Sequence, residues 1–415
     1  MPAGGNKRGA SRLRHANNPF PLAHTYPFTG AIQHYDWGGF DFLPDFLGAE
    51  HPAGQPWAEL WMGAHPKGPA TLTGEQGDLA RLIARDPRAI LGPRVADRFQ
   101  NRLPFLFKVL DVRDMLSIQV HPDKQAAEAG YAAEERTGKS QDAPDRNYRD
   151  DNHKPELGVA LTDFYLLHGF RAPEAIKRSL TVHPEWTELA EVLEDQGVRG
   201  LYAHVMEASQ DTIDRLLTPS AAGWKGGSFD RLQPEFWAAR AVEQYTRDGH
   251  YDRGIFSIFW FNLVHLSPGE GIFQDAGIPH AYLEGACLEL MANSDNVLRG
   301  GLTPKHIDVP ELLDKTRFGA VMPTKLSPEA QSDGWYRYPT PAPDFALSFR
   351  DVPRGERLVL TGSDGPSILL LMSGSLDGTD GTLDTANRTV FIPAGQEAVF
   401  AASSDSRVFR AAVGE

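Results

Sequence analysis

Between Ala172 and about Asp248 the chain changes texture, and that change limits what it can fold into. EAIKRSL, EWTELAEVLEDQ, LYAHVMEASQDTIDRLL and PEFWAARAVEQYTRD place apolar residues at helical spacing, with acidic residues near several helix starts. On both sides the sequence reads as short strands broken by glycine and proline, with one helical patch at DLARLIARDPRAIL (78–91). Glu156 lies before the helical stretch and His280 after it. If both serve one site, that site closes across the stretch, and the flanking pieces form one discontinuous β domain. The expected organisation is a disordered basic tail (1–20), a β domain (21–171 and 249–319), a helical insertion (172–248) and a second β domain (320–415).

Three segments carry side chains with ligand chemistry. In LSIQVHPDK (116–124), Leu116, Ile118 and Val120 alternate with Ser117, Gln119 and His121, so the latter three share one face of a strand. Glu156 opens the run ELGVAL and His280 precedes AYL, so each is presented at a strand start. Two histidines, a glutamate and a glutamine make a mixed nitrogen and oxygen set. Such a set suits one borderline divalent ion, zinc first, with a position left for water or substrate. Spacing alone leaves a plainer reading open, in which His-Pro and Pro-His are turn histidines. The run from Gly271 to Asp308 adds Glu289, Asp295, Arg299 and Lys305. Ligand chemistry and fixed positive charge together suit an enzyme acting on a small phosphorylated substrate.

Composition narrows the partners. The 415 residues leave room for two or three cores, and 41% hydrophobic with 23% charged residues is ordinary for a globular chain. A formal charge of −14 argues against nucleic acid. An anionic substrate then needs local positive charge, for which Lys108, Lys154, Arg299 and Lys305 are the candidates. The single cysteine, Cys287 in GACLELM, excludes an intrachain disulfide and reads as a small buried hydrophobe. No apolar run approaches the ~20 residues that span a bilayer. The segment MPAGGNKRGASRLRHANN lacks the apolar core, roughly 7–15 residues, of a secretory signal. A cytoplasmic monomer with no membrane partner is expected.

Strand texture resumes after 320 in RLVLT, SILLLMSG, TVFIPAG, EAVFAA and RVFRAAV. LSPGEGIF (266–273) and IPAGQEAVF (392–400) resemble the Pro-Gly corners of cupin-type jelly rolls. No histidine follows His306, so the second β domain offers no histidine-based metal site and a structural role is expected. The polar, turn-rich region from Lys124 to Tyr148 reads either as a flap over the site or as a plain surface loop.

IQVHPDK, HKPELGVAL and PHAYLEG…LELMANSDNVLRGGLTPKHID resemble type I mannose-6-phosphate isomerases, as do IQHYDWGG (32–39), AELWMGAHPKGPA (58–70) and LPFLFKVLDVRDMLSIQVHP (103–122). The likeness runs in order from about Phe28 to about Phe318, with a weaker continuation. It departs at WGG, where the family usually has WGS, and at RGGLTPK, where RAGLTPK is common; the charged positions are untouched. The resemblance implies a mainly β fold of two cupin-type jelly rolls plus an α-helical insertion. It implies one zinc ion per chain on Gln119, His121, Glu156 and His280. It also implies interconversion of mannose 6-phosphate and fructose 6-phosphate through an enediolate, feeding mannose and GDP-mannose metabolism.

Roles follow from that reading. Glu289 and Lys154 are the acid/base candidates, Lys154 because a neighbouring divalent cation disfavours its ammonium form. His153 is expected to assist ring opening with Asp295 as its partner. Arg299 offers a planar fork for phosphate or for an enediolate oxygen, with Lys305 and Ser117 as further phosphate contacts. Lys108, a charge inside the apolar FLFKVL, joins the substrate site unless it is a snorkelling edge lysine. Trp37 and Tyr282 are expected to wall the sugar pocket. Two other readings compete. One is an iron dioxygenase using His121, Glu156 and His280 as a facial triad, which leaves Gln119 and the cations unexplained. The other is a sugar-phosphate sensor without turnover.

Overall fold

One strand of 13 residues, His280–Ala292, organises the part of the molecule that carries the candidate residues. Its first half pairs with Gln119–Val120 and Phe164–Phe170, and its second half with Phe105–Val112 and Glu156–Ala160. A single strand serves both groups because it bends. The pairing with Phe164–Phe170 is irregular between Tyr282 and Glu284, and Gly285 follows at φ +117. A Cβ on Gly285 would lie 2.3 Å from the carbonyl oxygen of Asp163, so both the dihedral and the close approach demand glycine. The computed structural model describes residues 25–51, 54–74 and 77–415, and the tail expected over 1–20 lies outside them.

Strand alternation separates two environments. Phe105, Phe107, Val109, Leu157, Leu288 and Leu290 join the cluster that packs toward a second sheet. Their neighbours Lys108, Leu110, Glu156, Cys287 and Glu289 are also buried and take the opposite face, toward the interior of the first barrel. Both faces of these strands are covered, which is why FLFKVLDV is buried at every position.

The second sheet has eight strands among the described residues. Ser406–Ala412, Ser367–Ser373 and Thr389–Ile392 lie at its middle. Tyr26–Thr29 pairs with Thr389–Ile392, and Thr71–Leu72 pairs with Tyr26–Thr29. Two strands from the 21–171 segment therefore belong to the C-terminal sheet. The expected division cuts across hydrogen-bonded ladders at that point, because pairing is set by distant partners rather than by chain order. A four-stranded sheet, Arg357–Leu360, Ala398–Ala402, Leu376–Gly378 and Gly381–Leu383, closes the other side around Leu369, Val390, Phe400 and Val408.

The helical stretch contains Pro173–Thr181, Thr187–Glu207, Gln210–Gly226 and Pro234–Tyr245. Pro173 and Pro234 sit at first helical positions, where a missing N–H costs nothing. Trp186, Leu216, Trp224 and Trp237 form one cluster with Phe170, Phe261, Ile118 and Val120, so the helices pack directly behind strands of the site. Lys124–Thr137 is a helix, capped by Asp123 and ended by Gly138 at φ +71, rather than a flap or a plain loop. Its exposed, alanine-rich faces gave no apolar stripe to read. The residues after it are tied down: Asn147 donates to Asp308 (2.7 Å) and the Tyr148 hydroxyl to Glu311. Among the described residues no helix is long and apolar enough to cross a membrane.

Gly285→Ala should lower stability by at least about 2 kcal/mol, from backbone strain and the contact with Asp163. An unchanged urea midpoint would show that the bend does not depend on glycine.

Candidate metal and substrate site

Glu156 stands between two imidazoles. His121 Nε2 is 3.3 Å from its Oε1 and His280 Nε2 is 3.3 Å from its Oε2, with all three residues buried. The other ring nitrogens are committed: His121 Nδ1 is 2.8 Å from the carbonyl oxygen of Asn296, and His280 Nδ1 is 3.0 Å from that of Ile278. A carbonyl only accepts, so each Nδ1 carries the proton and each Nε2 presents a lone pair. Two lone pairs then face a carboxylate, an arrangement of acceptors with no donor among them. His121 Nε2 has no hydrogen-bond partner despite that proximity. The candidate ligand atoms all lie within 4.8 Å of one another, so one cation could satisfy all three. Gln119 is directly opposite His280 across the ladder, and both line the same cavity.

Charge in the interior points the same way. Burial raises the Glu156 pKa, but Lys154 (3.2 Å from Oε1) and His121 outweigh it and hold the carboxyl well below its ordinary range. Burial pushes the His121 imidazole down to about 4, helped by the Lys154 charge. Lys108 lies 3.0 Å from Glu289 and 3.3 Å from Glu59. Burial opposes its charge, yet those two carboxylates prevail and its pKa is raised. The snorkelling reading fails, because both partners are buried with it. Glu289 is pushed up by burial, with Lys108 opposing and Glu156 and Glu59 reinforcing. Three carboxylates (Glu59, Glu156, Glu289) thus share the cavity with two ammonium groups (Lys108, Lys154), an imbalance that favours a further cation.

Tyr282 lines this cavity, and burial, then Glu289 and Glu156, push its phenol well above the ordinary value. It stays a neutral donor. Trp37 does not line this cavity; it packs against the apolar cluster that contains Leu110, Val112 and Tyr282 and stacks on Tyr35 with ring centroids 5.8 Å apart.

Positive charge gathers one strand away. Arg299 is directly opposite Gln119, so His280, Gln119 and Arg299 form a row across three adjacent strands. Burial, then the Arg149 charge, lowers the Arg299 pKa; burial, then Arg299 and Arg149, lowers that of Lys305. Ser117 is half-buried two residues before Gln119.

The expected pairing of His153 with Asp295 does not occur. His153 Nε2 is 2.8 Å from Asp344 Oδ2, in the C-terminal half. Asp295 instead takes Lys67 (2.8 Å) and His65 (3.5 Å). Proximity in the two motifs hid partners supplied by distant segments. Glu59, His65, Arg149 and Asp344 escaped the sequence reading. Only Glu59 had a local signal, as a carboxylate alternating with Leu60 and Trp61 in AELWMG.

Residues 26–173 match the catalytic domain of phosphomannose isomerase type I. The mannose-6-phosphate isomerase of Escherichia coli K12 is 38% identical over 382 residues, 90% of this chain and 94% of that one. The chain belongs to the mannose-6-phosphate isomerase family. The human member is 35% identical over 400 residues, covering 87% of this chain and 90% of its own. A crystal structure of the Salmonella typhimurium mannose-6-phosphate isomerase bound to its substrate f6p and a zinc atom superposes with a TM-score of 0.84. It is 35% identical and covers 95% of this chain and 100% of its own. A zinc-bound holo mannose-6-phosphate isomerase gives a TM-score of 0.83 at 34% identity. The iron dioxygenase reading finds no support in these relatives.

Two outcomes test the electrostatics. Lys108→Met leaves Glu59 and Glu289 buried without their shared cation and should cost about 3–5 kcal/mol in chemical unfolding; a loss under about 1 kcal/mol would contradict the pairing. In chelator-treated protein, His121 and His168 are both held down to about 4 by burial. Below about pH 6.5 the unfolded chain takes up protons there that the folded chain refuses. Stability should therefore be full above that pH and fall steadily toward pH 4. A flat profile over this window would contradict it.

Proposed function

We propose that this chain is a zinc-dependent aldose–ketose isomerase that interconverts mannose 6-phosphate and fructose 6-phosphate. The observation that carries the reading is the Glu156 carboxylate between two imidazole lone pairs, with Lys154, Glu289 and the Arg299 row beside it. His121, Glu156 and His280 would hold the ion with Gln119 as fourth ligand. Bound there, zinc supplies positive charge to the oxygens on which the enediolate's negative charge develops.

The chain's own groups do the rest. Arg299 and Lys305, with Ser117, hold the phosphate and set the sugar's register along the strand row. His153, oriented by Asp344, opens the ring. Glu289 or Lys154 takes the proton from C2 and returns it to C1. Burial raises the Glu289 pKa, which makes it a stronger proton acceptor than an ordinary carboxylate. Lys108 keeps Glu289 aligned at 3.0 Å and faces the sugar from the cavity floor. Tyr282 donates to a sugar oxygen, and Trp37 backs the apolar cluster that contains Tyr282. Asp295, held ionised by His65 and Lys67, orients a hydroxyl rather than trading protons. In the same reading 21–171 and 249–319 form the catalytic unit, apart from strands Tyr26–Thr29 and Thr71–Leu72, which join the supporting β domain of 320–415, and 172–248 is an insertion. The enzyme works as a cytoplasmic monomer.

A coupled assay of mannose 6-phosphate conversion, before and after chelation and with zinc restored, tests the function. Loss and recovery are expected. Persistent activity without metal would remove the ion from the reaction, and tight sugar-phosphate binding without turnover would leave a sensor. Lys154→Met and Glu289→Gln should each keep zinc and fold while losing about 100-fold or more in kcat. The variant lacking the base should also stop exchange of the substrate C2 proton with solvent deuterium. Near-normal kcat in both would shift the role to other groups. Arg299→Lys should cost kcat/KM by about tenfold or more, because one point charge cannot reproduce the fork.

A further inference from the structure

The loop that carries Arg299 and Lys305 is held in a costly conformation by a carboxylate from the far end of the helical stretch. Gly301 has φ +114, and Leu302, a buried residue with a full side chain, has φ +51. L-residues enter that region only when their surroundings enforce it. The surroundings here include Gly254: a Cβ on Gly301 would lie 2.4 Å from the Gly254 Cα, and one on Gly254 would lie 2.6 Å from the Leu302 nitrogen. Turn and loop meet backbone to backbone.

Asp252 stands at that contact. Its Oδ1 accepts the N–H groups of Gly254 and Leu302, both at 2.7 Å, and its Oδ2 accepts that of Thr303 at 3.1 Å. Two consecutive loop amides thus share one carboxylate, in charge-assisted bonds. The turn is pinned from the helices as well, since Asp214 accepts the Tyr251 N–H at 2.9 Å and Gln210 donates to the Tyr251 carbonyl at 2.9 Å. On its other side the loop is laced to the segment bearing Gln119: the Ile118 N–H donates to Gly301 (3.0 Å) and the Gly300 N–H to Ile118 (2.9 Å). Arg299 lies immediately before residues 300–303 and Lys305 two residues after them.

We propose that Asp252 is a positioning residue for the substrate site. It presets residues 300–303 so that Arg299 and Lys305 meet the phosphate in one geometry, and it couples the end of the helical stretch to that rim. The proposal rests on the phosphate role given to Arg299 and Lys305 above.

Asp252→Asn in the full zinc-loaded chain tests it, since one oxygen is kept while an N–H is turned against the loop. KM for mannose 6-phosphate should rise by at least about tenfold with kcat within about threefold, and inhibition by inorganic phosphate should weaken by a similar factor. Zinc content should not change. Asp252→Ala should move both constants further in the same direction. A folded, zinc-loaded Asp252→Asn with unaltered KM and unaltered phosphate inhibition overturns the proposal, whereas absence of isomerase activity in the wild-type chain overturns the function beneath it. Should the variants not fold, amide hydrogen exchange in the wild-type chain decides. Slow exchange at Leu302 and Thr303 with or without inorganic phosphate supports a preset loop; exchange that slows only after phosphate is added overturns it.

Discussion

The structure depends on one carboxylate facing two imidazole lone pairs. With the Glu156 carboxylate 3.3 Å from His121 Nε2 and His280 Nε2, positive charge between them is strongly favoured, because each imidazole already donates its N–H to a backbone carbonyl, at Asn296 and at Ile278. Burial makes the conflict acute, since an uncompensated charge in the interior costs several kcal/mol. Lys154 relieves part of it from one side. A divalent ion relieves the rest, and the cluster is then preorganised for an oxyanion rather than rearranged by one.

Everything around the cluster serves to hold these groups in a barrel that would otherwise be apolar. The bent His280–Ala292 strand brings His280 and Glu289 to one cavity, and adjacent strands add Gln119 directly opposite His280, Lys108 directly opposite Glu289, and Glu156 opposite Met291. The reverse face of the same strands packs on the C-terminal sheet through Phe107, Leu288, Leu290, Ile368 and Phe391. The second β domain therefore stiffens the strands that carry the charges. The helices stiffen another wall, where Trp186 and Trp237 lie in one cluster with Ile118 and Val120, flanking Gln119, the proposed fourth ligand.

Much of this was legible in the sequence. Period-two alternation marked Ser117, Gln119 and His121, of which only Gln119 falls within a strand, Gln119–Val120; helical periodicity marked the stretch after Ala172, and apolar runs marked the C-terminal strands. Charged residues inside apolar runs, Lys108 and Glu289, stood out for the same reason that they are costly to bury. What escaped reading depends on contacts between distant segments. Nothing local says that Tyr26–Thr29 joins Thr389–Ile392, that His153 turns to Asp344, or that Asp295 belongs to His65 and Lys67. The Lys124–Thr137 helix was missed for a different reason: it is largely solvated, so it lacks the apolar stripe by which helices are recognised.

The most direct test of the metal cluster is X-ray absorption at the zinc edge of the loaded protein. The geometry of His121, Glu156, His280 and Gln119 predicts a first shell of nitrogen and oxygen only, with the multiple-scattering signature of two imidazoles and no sulfur. His280→Ala should leave one imidazole or abolish binding. A sulfur ligand, or a two-imidazole signature that survives His280→Ala, would contradict the arrangement on which the account rests.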